Sequence, residues 1–116
     1  MRAFTLIVVD DDPLIIHFVE QLSSFHNEIR FLGGFRSPLE AKQFLSENRV
    51  DIVVLDIEMP DMSGLELATV IQEPTRFIFS TSHDEFALEG FNLAATDYLL
   101  KPYAFERFKK AVDKII

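Results

Sequence analysis

The chain has 116 residues, the size of a single domain, and 48% of them are hydrophobic and 26% charged, which excludes a disordered chain. The net charge of -8 argues against direct nucleic-acid binding, because a binder neutralises phosphates with clustered Lys and Arg. Zero cysteines exclude disulfides and thiolate metal sites, and they fit the cytoplasmic location that we expect. Apolar runs such as Leu6 to Val9 fall far short of the roughly 18 residues that span a bilayer, so we expect no membrane association.

Short β-rich runs alternate with amphipathic stretches, which is the pattern of parallel strands joined by crossover helices. Five strands are predicted, at Phe4–Val9, Ile29–Phe35, Ile52–Leu55, Phe77–Ser80 and Tyr98–Leu100. Their apolar runs lack polar alternation, so helices are expected to cover both faces of the sheet. The sequence therefore predicts an α/β fold, a doubly wound five-stranded parallel sheet with five helices, as one domain over residues 1–116.

Capping side chains mark three helix starts. Asp12 precedes Pro13 at a first helical position, and Ser37 and Ser63 are each followed three residues later by a glutamate. The last helix is the least well marked, because Ala104 stands where a capping side chain is expected. Apolar residues at helical spacing predict core-facing stripes on the first and last helices: Leu14, Phe18, Val19 and Leu22, then Phe105, Phe108, Val112 and Ile115.

Acidic and polar side chains follow four of the predicted strands. They are Asp10, Asp11 and Asp12 after strand 1, Asp56 after strand 3, Ser80, Thr81 and Ser82 at the end of strand 4, and Lys101 and Pro102 after strand 5. Ligands of an open parallel sheet bind beyond the carboxyl ends of its strands, where the strand order reverses. We therefore expect these side chains to lie together at one edge.

The clustered carboxylates indicate a metal-assisted phosphoryl chemistry. Two such charges 4 Å apart repel by roughly 4 kcal/mol at an effective dielectric of 20, and Mg²⁺ would offset that repulsion. With the metal as Lewis acid, Asp56 is a candidate nucleophile toward an activated phosphoryl group, whose oxygens Lys101 and a hydroxyl would hold. Asp12, next to Pro13, is interpreted as a helix cap rather than a metal ligand.

Four segments carry a family resemblance. VVDDDP, VLDIEMPDMSGLEL, FSTSHD and DYLLKP, in this order, resemble the motifs of the receiver domains of two-component response regulators. The resemblance covers nearly the whole chain. FSTSHDEFALEGF followed by ATDYLLKPY is most similar to receivers that precede LytTR-type DNA-binding domains.

The resemblance implies a metal and phosphoacceptor site. In it, Asp56 is the phosphoacceptor, Asp10 and Asp11 are the acidic pair that holds Mg²⁺, and the backbone carbonyl of Glu58 completes the protein ligands. Asp12 departs from the family pattern as a third acid beyond the usual pair.

The resemblance also implies a switch. Thr81 matches the switch hydroxyl, Lys101 the phosphate-pairing lysine, Pro102 its cis-bonded neighbour, and Tyr98 the aromatic that changes rotamer. His83, two residues beyond Thr81, is a further candidate for contact with the phosphoryl group or its attacking water.

The implied function is signalling rather than enzymatic turnover: a phosphoryl group is taken from a sensor histidine kinase, and only the domain's own phosphorylation and dephosphorylation are catalysed. Phosphorylation is expected to change the surface of the fourth helix, strand 5 and the fifth helix, and to favour a homodimer. DNA would be bound by an output domain absent from this chain. Residues expected on that surface are Phe86, Glu89, Lys109 and Asp113.

Two alternatives belong to other functional classes. Asp56-Ile57-Glu58 loosely echoes the paired acids of haloacid dehalogenase-type phosphatases, but that family has Asp at the second position and its nucleophile after the first strand. A flavodoxin-like flavin carrier needs a hydroxyl- and glycine-rich loop after strand 1 to take an anionic phosphate. Three aspartates stand there and would repel it.

Overall fold

A computed structural model describes residues 3–59, 63–82 and 94–116. They contain one parallel sheet with the strand order β2-β1-β3-β4-β5. The strands are β1 Phe4–Val9, β2 Ile29–Phe35, β3 Ile52–Asp56, β4 Arg76–Thr81 and β5 Asp97–Leu100. The predicted doubly wound five-stranded sheet is confirmed, and every strand lies within one residue of its predicted bounds.

Four helices lie in the described ranges: α1 Pro13–Ser24, α2 Pro38–Glu47, α3 Gly64–Ala68 and α4 Phe105–Asp113. The fourth predicted helix, between strands 4 and 5, falls outside those ranges, and the fifth predicted helix is α4. Among the described helices, none has the length and apolar character needed to cross a membrane. The strand order reverses between β1 and β3, so the crevice where ligands bind in such sheets opens at their carboxyl ends.

Alternate residues of each strand pack into two separate hydrophobic cores. On β3, Ile52 and Val54 belong to the core shared with α1 and α4, whereas Val53 and Leu55 belong to the core shared with α2 and α3. The same alternation places the side chain of Asp56, one residue past Leu55, on the face covered by α1 and α4. We call these the α1/α4 face and the α2/α3 face.

The predicted caps are present. The Asp12 carboxylate accepts a hydrogen bond from the backbone N–H of Leu14 at 2.9 Å, and Pro13 begins α1. The hydroxyls of Ser37 and Ser63 accept N–H groups from the first turns of α2 and α3. At the start of α4, Ala104 makes no side-chain cap bond.

The predicted core stripe of α1 is wrong at one position. Val19 and Leu22 are buried and Phe18 packs against the same core, but Leu14 is 75% exposed. Ile15 and Ile16, in the same turn, pack against this core instead, so the core-facing stripe begins one residue after Leu14.

His26 ties the end of α1 to α4. Its Nε2 lies 2.8 Å from the Asp113 carboxylate, and its Nδ1 accepts the backbone N–H of Glu28 at 3.1 Å. Because Nδ1 is an acceptor, the proton of the neutral ring resides on Nε2, which donates to Asp113. The C-terminal helix is thereby anchored by a buried side chain of the α1–β2 connection.

The role of Asp12 as a cap gives a first prediction. Asp12→Ala should lower the free energy of unfolding by about 1 kcal/mol, because the first turn of α1 loses a hydrogen-bond acceptor. Asp12→Asn should be close to wild type, since Asn caps as well as Asp. Urea denaturation measures both. Equal losses in the two variants would show that Asp12 acts through its charge rather than as a cap.

Candidate functional site

Polar side chains of three adjacent strands stand side by side at the carboxyl edge. Val9 of β1 pairs with Leu55 of β3, so the residues that follow, Asp10 and Asp56, lie abreast at the point where the strand order reverses. Asp56 in turn pairs with Ser80 of β4. Asp56 therefore has an acid on one side and a hydroxyl on the other, all on the α1/α4 face.

Three of the predicted acids form a cluster. Carboxylate oxygens of Asp10, Asp11 and Asp56 all lie within 4.8 Å of one another. Asp10 and Asp56 are buried, at 1% and 6% exposure, whereas Asp11 is exposed. A set of oxygen ligands at this spacing, open to solvent on one side, could hold a hard cation.

Lys101 bridges the two buried acids. Its ammonium group donates to Asp10 at 2.8 Å and lies 3.5 Å from the Asp56 carboxylate. Burial alone would lower the pKa of Lys101, but the hydrogen bonds and charges of the two carboxylates outweigh it and raise that pKa. The lysine is thus held charged inside the cluster and offsets part of its repulsion.

The carboxyl group of Asp56 has a perturbed pKa. Burial, followed by the negative charge of Asp10, raises it from 3.8 to about 6, although Lys101 acts in the opposite direction. Asp56 is therefore mostly ionised at pH 7 but is poorly compensated. A cation beside it would be favoured, and such shifts are common at functional sites.

The carboxylates of Asp10 and Asp11 differ in how freely they can bind a metal ion. One oxygen of Asp10 accepts the N–H of Asp12 at 2.9 Å and the other accepts Lys101. Asp11 projects toward solvent, while its backbone carbonyl accepts the Nε–H of Arg36 at 3.2 Å. The Asp11 carboxylate is therefore better placed than that of Asp10 to turn toward a bound ion.

The turn after β3 depends on a close backbone approach. The N–H of Gly64 donates to the carbonyl of Ile57 at 2.7 Å. A Cβ atom at Gly64 would lie 1.9 Å from the backbone carbonyl oxygen of Asp56, so no other residue fits there. Glu58 is exposed within this turn. Sequence reasoning used SGLE only as a capping motif and missed the need for glycine.

The other predicted site residues lie around Asp10, Asp56 and Ser80 at the carboxyl edge. Thr81 ends β4 and is buried. Tyr98 on β5 pairs with Phe79, which lies two residues before Thr81 on β4, so Tyr98 and Thr81 face the same side of the sheet. Tyr98 is half-buried against the core of the α2/α3 face. The Lys101–Pro102 peptide bond is cis. His83 lies outside the described residues.

Sequence reasoning also missed a hydroxyl pair. The side chains of Ser80 and Tyr103 are hydrogen bonded at 3.0 Å, and both are buried. The sequence places Ser80 in the hydroxyl cluster at the end of strand 4 but gives it no role of its own. Strand alternation was the available signal, because it places Ser80 on the same face as Asp56.

The fold and this site define a class of signalling domain. The model of the response regulator receiver domain family matches residues 6–113, and the chain belongs to that family, whose members act in two-component signalling. The predicted family is confirmed. The match gives no support to a phosphatase of haloacid dehalogenase type or to a flavin carrier.

Particular relatives carry LytR names, in agreement with the resemblance to LytTR-type regulators. The chain is 39% identical to the transcriptional regulatory protein LytR of Staphylococcus aureus (strain N315), over 94% of this chain and 46% of the relative. It is 40% identical to the sensory transduction protein LytR of Staphylococcus haemolyticus, over 94% of this chain and 44% of the relative. The chain therefore spans less than half the length of these relatives.

Solved structures give the same fold. The response regulatory domain of protein mrkE from Klebsiella pneumoniae superposes with a TM-score of 0.88 at 32% identity, covering 97% of this chain and 94% of that one. The signal receiver domain of the putative response regulator NarL from Mycobacterium tuberculosis also superposes with a TM-score of 0.88, at 25% identity, covering 97% of this chain and 94% of that one.

The raised pKa of Asp56 predicts an unusual pH dependence of stability. Because this pKa rises from 3.8 to about 6 on folding, the folded state binds more protons between those values and loses stability as the pH rises through them. The loss persists at pH 7. Asp56→Asn, free of Mg²⁺, should therefore be more stable than wild type by about 1 to 3 kcal/mol at pH 7, with the difference vanishing near pH 4.

Urea denaturation at a series of pH values, in the presence of EDTA, measures this difference. Asp12→Asn is the matched control. It too replaces a carboxylate by an amide at the carboxyl edge, but it leaves the buried side chains of Asp10, Asp56 and Ser80 unchanged. A stability for Asp56→Asn at or below that of wild type at pH 7 would contradict the predicted electrostatic cost.

Proposed function

We propose that this chain is a phosphoacceptor switch, in which Asp56 takes a phosphoryl group from a sensor histidine kinase with the help of Mg²⁺. The observation that carries the proposal is the arrangement at the carboxyl edge, where the strand order reverses. There Asp56 lies beside Asp10, and Lys101 bridges the two carboxylates. The domain acts on no other substrate and catalyses only its own phosphorylation and dephosphorylation.

In the transfer step, a carboxylate oxygen of Asp56 attacks the phosphorus of the donor. An O–P bond forms, the N–P bond of the phosphohistidine breaks, and the electron pair of that bond returns to the imidazole of the kinase. Although its pKa is raised, the value of about 6 still leaves the Asp56 nucleophile mostly ionised at pH 7. Lys101, and the hydroxyl of Thr81 at the end of β4, would stabilise the charge on the phosphoryl oxygens.

The acid cluster fits a magnesium ion, because all its donors are oxygens. Asp11 and Asp56 would supply carboxylates and Glu58 its backbone carbonyl. Asp10, both of whose oxygens accept protein hydrogen bonds, would act through water. When bound, the ion supplies positive charge that offsets the repulsion of the acids and of the phosphoryl group.

The switch would start on the α2/α3 face and change the surface built from the fourth predicted helix, β5 and α4. Movement of Thr81 toward the phosphoryl group would leave space that Tyr98, on the same side of the sheet, could fill. The homodimer surface expected from the sequence includes Lys109 and Asp113 on α4. These two residues form an ion pair with each other, so a dimer that used them would replace this pair by ion pairs between subunits. Phe86 and Glu89 lie outside the described residues.

The output is proposed from the relatives. Their names are those of a transcriptional regulatory and a sensory transduction protein, and this chain covers less than half of each. We assign DNA binding to an output domain not included in this chain, and none to this acidic domain itself. A cytoplasmic location follows from the role as the partner of a histidine kinase.

Phosphorylation by acetyl phosphate tests the proposal. Intact-mass measurement should show one phosphoryl group on the wild type in Mg²⁺ and none in EDTA, and Asp56→Asn should take up none. Asp51→Asn is the control, since Asp51 is a buried aspartate just before the opposite end of β3 and should not alter labelling. Labelling that survives in Asp56→Asn, or that does not need a divalent cation, would overturn the assignment.

A further inference from the structure

A buried hydroxyl pair flanks Asp56 on the side away from Asp10. The Ser80 hydroxyl and the Tyr103 phenol lie 3.0 Å apart, and the two residues are 1% and 7% exposed. Burial, with smaller contributions from the charges of Asp10 and Asp56, raises the pKa of Tyr103 to about 12, although the bond to Ser80 opposes this. The phenol therefore stays neutral and acts as a hydrogen-bonding group next to the acids.

The pair adds a side-chain attachment to the backbone attachments between β4 and the segment that carries Lys101. The backbone N–H of Lys101 donates to the carbonyl of Thr81 at 2.7 Å, and two residues later the Tyr103 phenol bonds Ser80. The consecutive residues Ser80 and Thr81 thus hold the segment at both of its ends. Because Ser80 pairs with Asp56 across the sheet, these attachments also fix Lys101 relative to Asp56.

The aromatic ring of Tyr103 is itself held in place. It packs in the core of the α1/α4 face, with its centroid 5.7 Å from that of Phe18 on α1. Rotation of the ring would disturb the contact with this helix. The packing therefore fixes the direction in which the phenol hydroxyl points toward Ser80.

We propose that Ser80 and Tyr103 are positioning residues for phosphoryl transfer. Their mutual hydrogen bond holds the backbone of Lys101 where its ammonium group contacts the carboxylates of both Asp10 and Asp56. The inference rests on the proposed function and extends it to residues that act through Lys101. Without the bond, the segment loses its side-chain attachment to β4 beyond Lys101 and keeps the backbone attachment at Thr81, so the ammonium group spends less time in the bridging position.

The test is a double-mutant cycle on the rate of phosphorylation. Ser80→Ala, Tyr103→Phe and the double variant are incubated with Mg²⁺ and a concentration series of acetyl phosphate. Each single change should lower the maximal rate by roughly three- to tenfold, the range expected for one lost buried hydrogen bond, without changing the half-saturating concentration. The double variant should be no slower than the slower single variant, because both changes remove the same bond.

Two further variants separate positioning from general stability. Ser80→Thr keeps a hydroxyl at this site and should restore most of the wild-type rate. Thr75→Val removes a hydroxyl that donates to the carbonyl of Val50 at the opposite end of β4. It should lower the free energy of unfolding measured in urea but leave the phosphorylation rate unchanged.

Three results would overturn the inference: single variants within twofold of the wild-type rate, losses that multiply in the double variant, or an equal slowing in Thr75→Val. These failures are distinct from failure of the proposed function. A wild type that takes up no phosphoryl group refutes the phosphoacceptor itself. A wild type labelled normally, with variants equal to it, refutes only the role of Ser80 and Tyr103.

Discussion

Repulsion among Asp10, Asp11 and Asp56 is the constraint around which the rest of this structure is arranged. Carboxylates this close cost several kcal/mol in a protein environment, and two of the three are buried. The apolar strands β1 and β3 pack on both faces and leave these acids no other position than the carboxyl edge. Lys101 offsets part of the cost, and burial together with the remaining repulsion from Asp10 and Asp11 raises the pKa of Asp56. A rigid apolar sheet thus holds a site that favours an added cation.

The site lies where the two hydrophobic cores meet. Asp10, Asp56 and Ser80 project toward the α1/α4 face, whereas Thr81 and Tyr98 belong to the α2/α3 face. A change of charge at Asp56 therefore acts on side chains packed against both layers of helices. Close-packed cores respond by shifting between discrete arrangements, which is the physical basis for the switch proposed above.

Local signals made the fold predictable from the sequence. Unbroken apolar runs specify the strands, and Asp12, Ser37 and Ser63 mark helix starts through hydrogen bonds within one turn. The carboxyl-edge acids and Lys101 were predictable because parallel strands end at one edge. The bond between Ser80 and Tyr103 was not, because Tyr103 lies in the segment between β5 and α4, whose path no strand or helix pattern specifies.

Two other features depend on distances that no periodicity encodes. Gly64 is required by the carbonyl of Asp56, and Leu14 is exposed because Ile15 and Ile16 of the same turn pack against the core in its place. Titration calorimetry of Mg²⁺ into the wild type and Lys101→Met tests the electrostatic core of the site most directly. Since the lysine ammonium and the ion compete for the same carboxylates, we expect Lys101→Met to bind Mg²⁺ several-fold more tightly. Unchanged or weaker binding by Lys101→Met would contradict a cluster whose repulsion Lys101 offsets.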